Sequence, residues 1–234
     1  AHGPKNHEFE EMFAEYHGVN HALSMNSCTS AIHLAVEGMG ITGEVIIPSF
    51  TFVATANAVL TGGAKPAFAD IEYDTCNIDP DGIEDLIGPD TEAVMPVHFG
   101  GQSADMTAIM AIADKHHLAV IEDTAETIGG EHCGKLTGTF STGCFSFYPT
   151  KNMTTGEGGM LTTNDDQLAR KVKTLLAHGI DKSTYEREDL EKSWYRSASR
   201  VGYNFRMSNI LAAIGVEQMK KLPEMNRRRR ELAA

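Results

Sequence analysis

Apolar residues recur along this chain with two periods that take turns, and that alternation most constrains what it can fold into. Phe9, Met12, Phe13 and Tyr16 fall on one helical face. Residues 21–25 (HALSM) read as a short strand, followed by a helix over about 29–39. Residues 44–48 (EVIIP) predict a strand, 51–60 a helix, and 64–70 (AKPAFAD) a strand ending in a carboxylate. Asp79 before Pro80 has the pattern of an N-cap followed by proline at the first helical position, opening a short helix to Ile87. A strand at 92–97, a helix at 104–117 and a strand at 118–123 (LAVIED) follow. Strands at 144–150 and 158–163 and a helix over roughly 165–177 continue the series. The charged stretch 180–200 has no clear period and reads as a loop. A helix is expected at 208–221, and Pro223 opens another. There are no internal repeats or low-complexity tracts.

Strands alternating with helices predict an α/β fold, a mostly parallel central sheet with helices on both faces. Ligands of such sheets sit at the carboxyl ends of the strands. At 234 residues the chain can bury a substantial core. Its 20 basic and 32 acidic residues leave a net charge of −12, which argues against nucleic acid or an anionic membrane as partner. No apolar run is long enough to span a bilayer, and the polar start AHGPKNHEFEE has no signal-peptide pattern. Cys28, Cys76, Cys133 and Cys144 form no CxxC pair and no zinc-type spacing, so a reducing cytoplasm is expected and no metal site. The absence of an initiator Met makes a partial chain the expectation.

Four strand ends could carry chemistry. Residues 26–31 (NSCTSA) join a strand to a helix, and small hydroxyl residues with free amides suit a phosphate there; plain capping by Ser27 or Thr29 is the competing reading. Asp123 ends a buried strand and could hold a proton on a ring nitrogen, or cap the next helix. Lys151 follows an apolar strand and precedes residues 156–159 (GEGG); a desolvated lysine there can form an imine, whereas most lysines are solvated charges. Ser146, on the same strand, could add a hydroxyl to a phosphate. Phe52 could stack on a flat ring or belong to the core.

Together these features resemble a known family. Residues 3–230 are similar to the DegT-type nucleotide-sugar aminotransferases, which are fold-type I pyridoxal-phosphate (PLP) enzymes. The likeness runs through Gly3–Pro4 with Phe9–Glu10, residues 27–35 (SCTSAIHLA), 44–52 (EVIIPSFTF), Pro96–Val97–His98 and Ile121–Glu122–Asp123. It continues through 145–152 (FSFYPTKN), 156–159 (GEGG) and 202–207 (GYNFRM). The resemblance implies that Lys151 is the imine-forming lysine and the proton carrier, and that Asp123 partners the pyridinium. It places Phe52 on the ring face and Cys28, Thr29 and Ser146 around the phosphate. Asn204 would reach the phosphate of a neighbouring subunit in a homodimer. Glu126 would contact the ring hydroxyl at a position that is often Gln. The implied reaction moves an amino group from an amino acid, glutamate first among them, to a nucleotide-linked keto sugar. Residues 1–210 would form the PLP-binding large domain, and 211–234 a helical passage toward a small C-terminal domain outside this sequence.

Other signals carry less. Residues 38–43 spell GxGxxG, but they follow a helix and open a strand, the wrong context for a dinucleotide. The Asn152–Met153–Thr154 sequon sits in the lysine loop. Arg227–Arg230 reads as a solvated helix end, and His116–His117 has no third ligand spaced for a metal. Two rivals remain: a PLP-dependent sugar dehydratase, which carries histidine where Lys151 stands, and a non-catalytic protein that keeps the fold.

Overall fold

The computed structural model describes residues 2–180 and 197–233. Strands β1 (His21–Met25), β2 (Glu44–Pro48), β3 (Lys65–Ala69), β4 (Thr91–Val94) and β5 (Ala119–Asp123) belong to the main sheet. β6 (Glu131–His132) and β7 (Lys135–Leu136) pair apart from it as a hairpin, and β8 (Thr142–Ser146) and β9 (Gly159–Thr163) complete the main sheet. Its seven strands run in the order β1-β9-β8-β5-β4-β2-β3. The β8-β5-β4-β2-β3 pairings are parallel, and β9 is antiparallel to both its neighbours. The mostly parallel sheet expected from the sequence is therefore the one observed.

Both faces of the sheet are covered, and the strands are apolar at successive positions for that reason. Val45, Ile47, Ala93, Met95, Ile121, Cys144 and Leu161 pack toward α2 (Cys28–Met39), α3 (Val53–Thr61) and α6 (Asp166–Leu175). The residues between them point the other way. Ile46, Val94 and Val120 meet α4 (Pro80–Leu86) and α5 (Met106–His116). Phe145 and Met160 meet α1 (Pro4–His17) and α7 (Asn209–Met219). α8 (Leu222–Ala233) follows and anchors Leu222 in the same cluster. Among the described residues no helix is long and apolar enough to cross a membrane.

Several boundaries differ from the sequence expectation, each for a local reason. The strand expected at 144–150 stops at Ser146, because the chain turns through Tyr148–Lys151, where the Lys151 amide donates to the Tyr148 carbonyl at 2.9 Å. The strand expected at 92–97 stops at Val94, two residues before Pro96, which cannot donate to a ladder. The helix expected from 51 begins at Val53, with Phe52 extended as its N-cap. The β6–β7 hairpin was not read from the sequence; its turn places Cys133 and Gly134 at φ 51° and 78°, the left-handed pair that a two-residue hairpin favours. Of the stretch 180–200, residues 181–196 lie outside the described residues.

Helix α1 buries Phe9 and Phe13 completely against Phe145 and Phe147, ring edge to ring face or tilted. Met12 and Tyr16 flank the same cluster, so the helical face read from the sequence is the packed one. His17 closes the helix, stacked on Phe13 with ring centroids 4.2 Å apart. Its Nδ1 lies 2.9 Å from the Phe13 carbonyl, which can only accept, so Nδ1 carries the proton. Nε2 is then a buried lone pair with no hydrogen-bond partner. Burial pushes the His17 pKa down to about 4.

A stability prediction follows from that sign. The unfolded chain takes up the His17 proton near pH 6.5, and the folded chain does so only near 4. The His17 contribution is therefore intact above pH 6.5 and is lost as pH falls from there to about 4, amounting to roughly 3 kcal/mol. Urea midpoints measured across that range should fall less steeply in His17→Phe than in the parent. Parallel curves for the two proteins would refute this account.

Candidate active site

The carboxyl ends of β1 and β8 lie on either side of the start of β9, since Gly159 pairs with both Met25 and Ser146. A Cβ on Gly159 would fall 2.3 Å from the Ser27 carbonyl carbon and 2.5 Å from the Cys28 nitrogen. The last glycine of the GEGG run is thus required for the N-terminus of α2 to rest on β9. The cavity that results holds about 810 Å³. Cys28, Thr29, Phe52, Asp123, Glu126, Ser146 and Lys151 all line it. Seven of the eight candidate residues therefore meet in one place. Asn204, the eighth, is exposed and outside that lining, on the chain leading into α7.

The α2 end resolves the question of capping. Ser27 is the N-cap, its Oγ accepting from the Ser30 amide at 3.1 Å. Thr29 has no such duty and faces the cavity with Cys28. First-turn amides have no intrahelical acceptor, and the helix dipole favours an anion there. The Cys28 thiol lies 4.0 Å from Asp123 Oδ1. Burial, with the Asp123 carboxylate beside it, pushes this thiol well above its usual range, so it stays neutral.

Asp123 is a buried carboxylate and not a helix cap. Oδ2 accepts from the Thr55 hydroxyl at 2.8 Å, and Oδ1 from the Ala125 amide at 3.1 Å. Thr55 is itself 2.7 Å from the Thr51 hydroxyl, so the two form a chain ending on Asp123. Burial raises the Asp123 pKa, and the Thr55 and Ala125 hydrogen bonds oppose it. Sequence reading missed Thr55. Its spacing of four from Thr51, the start of the helix expected over 51–60, was the available signal.

Beneath Asp123 lies a second carboxylate that the sequence reading gave no role. Glu122 and His98 are both fully buried and 3.1 Å apart. The Ala104 amide donates to His98 Nδ1 at 3.1 Å, so Nε2 carries the proton toward Glu122. Glu122 also accepts from the Gly138 and Ser141 amides at 2.7 and 3.0 Å. His98 in turn donates its amide to the Asp123 carbonyl, and Asp123 donates its own to Pro96. The strand end that presents Asp123 is thereby fixed from both sides.

Lys151 Nζ is 3.3 Å from Glu126 Oε1, and Glu126 Oε2 accepts from the Gly100 amide at 3.0 Å. Phe52 is 78 % exposed, which excludes a core role and leaves its ring available at the cavity. Arg206 donates to Asn204 Oδ1 at 3.1 Å.

This donor set suits a flat aromatic phosphate ester with a basic ring nitrogen and an aldehyde. A helix N-terminus, a buried carboxylate, an exposed aromatic and an amine share one cavity. The family comparison agrees, with the model of the DegT/DnrJ/EryC1/StrS aminotransferase family matching residues 1–234. This chain belongs to that family. The DegT-type aminotransferases are PLP-dependent, and the solved NtdA of Bacillus subtilis, with bound cofactor PMP, aligns at a TM-score of 0.84 and 35% identity. That alignment covers 95% of this chain and 49% of NtdA. Spore coat polysaccharide biosynthesis protein SpsC of Bacillus subtilis is 46% identical over 99% of this chain and 60% of its own length. GDP-perosamine synthase of Caulobacter vibrioides is 46% identical over 93% of this chain and 57% of its own. The chain thus spans about three fifths of the length of these DegT-type relatives.

The Thr55 contact yields a measurable expectation. Thr55→Val removes a hydrogen bond to the charged form of Asp123, so the carboxyl should titrate higher, while Thr55→Ser should restore it. Carbon NMR of the Asp123 carboxyl against pH reads this directly. An unchanged midpoint in Thr55→Val would mean that the hydroxyl does not tune the acid.

Proposed function

We propose that this chain is the cofactor-binding region of a PLP-dependent aminotransferase that moves an amino group from an amino acid, glutamate first among the candidates, to a nucleotide-linked keto sugar. The observation that carries this reading is the convergence of Lys151, Asp123, Phe52 and the α2 N-terminus in one cavity. The relative named for GDP-perosamine favours a nucleotide-linked sugar as acceptor.

PLP, once bound, would supply an aldehyde carbon and an electron-accepting ring. The amides of Cys28 and Thr29 and the hydroxyls of Thr29 and Ser146 would hold the phosphate at the α2 dipole. Phe52 would cover one ring face. Asp123, whose burial is opposed by hydrogen bonds from Thr55 and the Ala125 amide, would hold the proton at the ring nitrogen. Glu126, paired with Lys151, would meet the ring hydroxyl. Lys151 would supply the amine that holds the cofactor through its aldehyde and the base that carries a proton on one ring face. A histidine could carry that proton but could not bind the aldehyde again, which favours amino transfer over the loss of a hydroxyl.

Residues 1–210 are assigned to the large domain, with 211–234 docked on it as the helical passage onward. The working form is a cytoplasmic homodimer in which Asn204, exposed and with its Oδ1 already accepting from Arg206, would offer its amide nitrogen to the partner's phosphate.

Two experiments test this reading on the full-length protein. Borohydride reduction of the PLP-loaded enzyme should place the label on Lys151. With nitrogen-labelled glutamate, the label should appear in the sugar product; a deoxygenated sugar without it would assign the dehydratase reaction instead. Separately, mixing inactive Lys151→Ala and Asn204→Ala chains should restore measurable turnover in heterodimers. Verified heterodimers with no turnover would count against a shared site.

A further inference from the structure

Away from the cavity, three ligating side chains converge at the start of α1. His7 and Glu10 stand three residues apart on one helical face, and His2 lies just ahead of the helix. One nitrogen of each imidazole and one Glu10 oxygen lie within 4.8 Å of one another. His2 Nε2 is 3.8 Å from Glu10 Oε1, and His7 Nδ1 is 3.7 Å from Glu10 Oε2. The two imidazole rings meet edge to face, 5.3 Å between centroids.

Glu10 is held in place from behind. Its Oε1 accepts from both the amide and the hydroxyl of Ser24, at 2.8 and 2.7 Å. The Ser24 hydroxyl in turn accepts from Asn6 Nδ2 at 3.2 Å, so the chain Asn6, Ser24, Glu10 orients the carboxylate. Ser24 and Asn6 are fully buried. Glu11 and Lys173 are the other charges acting on Glu10, with opposite signs, and burial outweighs both, raising its pKa to about 7. A carboxyl fixed this way presents its oxygens to the two imidazoles.

We propose that His2, His7 and Glu10 bind a divalent transition-metal ion of the zinc type. Two imidazoles and one carboxylate are a donor set that holds zinc with a water in the fourth position. Hard cations such as calcium or magnesium prefer oxygen donors throughout, so the two imidazoles select against them. Metal bonds of about 2.0–2.2 Å bring tetrahedral donors to about 3.4 Å apart, so the three ligands, now within 4.8 Å of one another, would draw together on binding. His7 is about a third exposed. A cavity of about 340 Å³ adjoins His7 and Glu10 and leaves room for the water. The Ser24 hydrogen bonds are the outer contacts that fix a ligating carboxylate. None of the three ligands lines the cofactor cavity, so the ion would tie the segment before α1 to β1 and stand apart from amino transfer. No zinc-type motif marks these residues in the sequence, because the third ligand is placed by the turn into α1 and not by a regular spacing.

The test uses the full-length protein, PLP-loaded and free of any added histidine tag. Zinc titrated by calorimetry should bind at one site per chain, and cobalt should give visible absorption bands of the same stoichiometry. His2→Ala and His7→Ala should each weaken zinc binding at least about tenfold, and Ser24→Ala by a similar factor. PLP absorbance should stay unchanged in all of them, and His116→Ala should bind as the parent does. Equal affinity in the parent and in either ligand variant would overturn the site, as would binding only at millimolar zinc.

Discussion

The contact on which this architecture depends is the seating of the α2 N-terminus on the first residue of β9. β9 runs against its neighbours, so its start lies between the ends of β1 and β8. Only a residue without a side chain lets the Ser27–Cys28 backbone come so close. That seating brings the phosphate-type end of α2, the hydroxyl of Ser146 and the turn that carries Lys151 around one volume. β5, next to β8, then delivers Asp123 to the same place.

The acid in that volume is built against solvent physics. Burial pushes the Asp123 pKa up, and the Thr51–Thr55 chain and the Ala125 amide oppose it. The mechanical support comes from the preceding residue, Glu122, which with His98 ties the strand end to the loops around it. Two adjacent carboxylates on one strand thus face opposite sides and do different jobs. This is the ordinary consequence of a period of two, put to use where both faces are buried.

Much of this was legible in the sequence, and the limits are physical. Strand and helix order came from the apolar periods, because each element must present a fixed face to a layer. Phe9 and Phe13 announced the packed side of α1. Boundaries drifted where the local backbone ends an element, as at the extended Phe52, the turn after Ser146 and the approach to Pro96. The cavity residues could be nominated because each sits at a strand end. Thr55, His98 and Glu122 were passed over, since their roles depend on pairing across distant segments. Ser27 and Thr29 were equally good caps on paper, and only the backbone geometry chose between them. The His2, His7 and Glu10 cluster was invisible for the same reason, because a single turn sets its third member.

The burial of the His98–Glu122 pair and of Asp123 has a consequence for how the site meets its surroundings. Fields from groups sealed in the interior are little affected by dissolved ions, whereas exposed charges are screened within about 10 Å at moderate salt. The acid side of the cavity is sealed in this way, while Glu126, at 37% side-chain exposure beside Lys151, looks outward. The two halves of the site therefore differ in their coupling to ionic strength: the half built on the buried Asp123 is insulated, and the half that carries Lys151 and Glu126 is open to the medium.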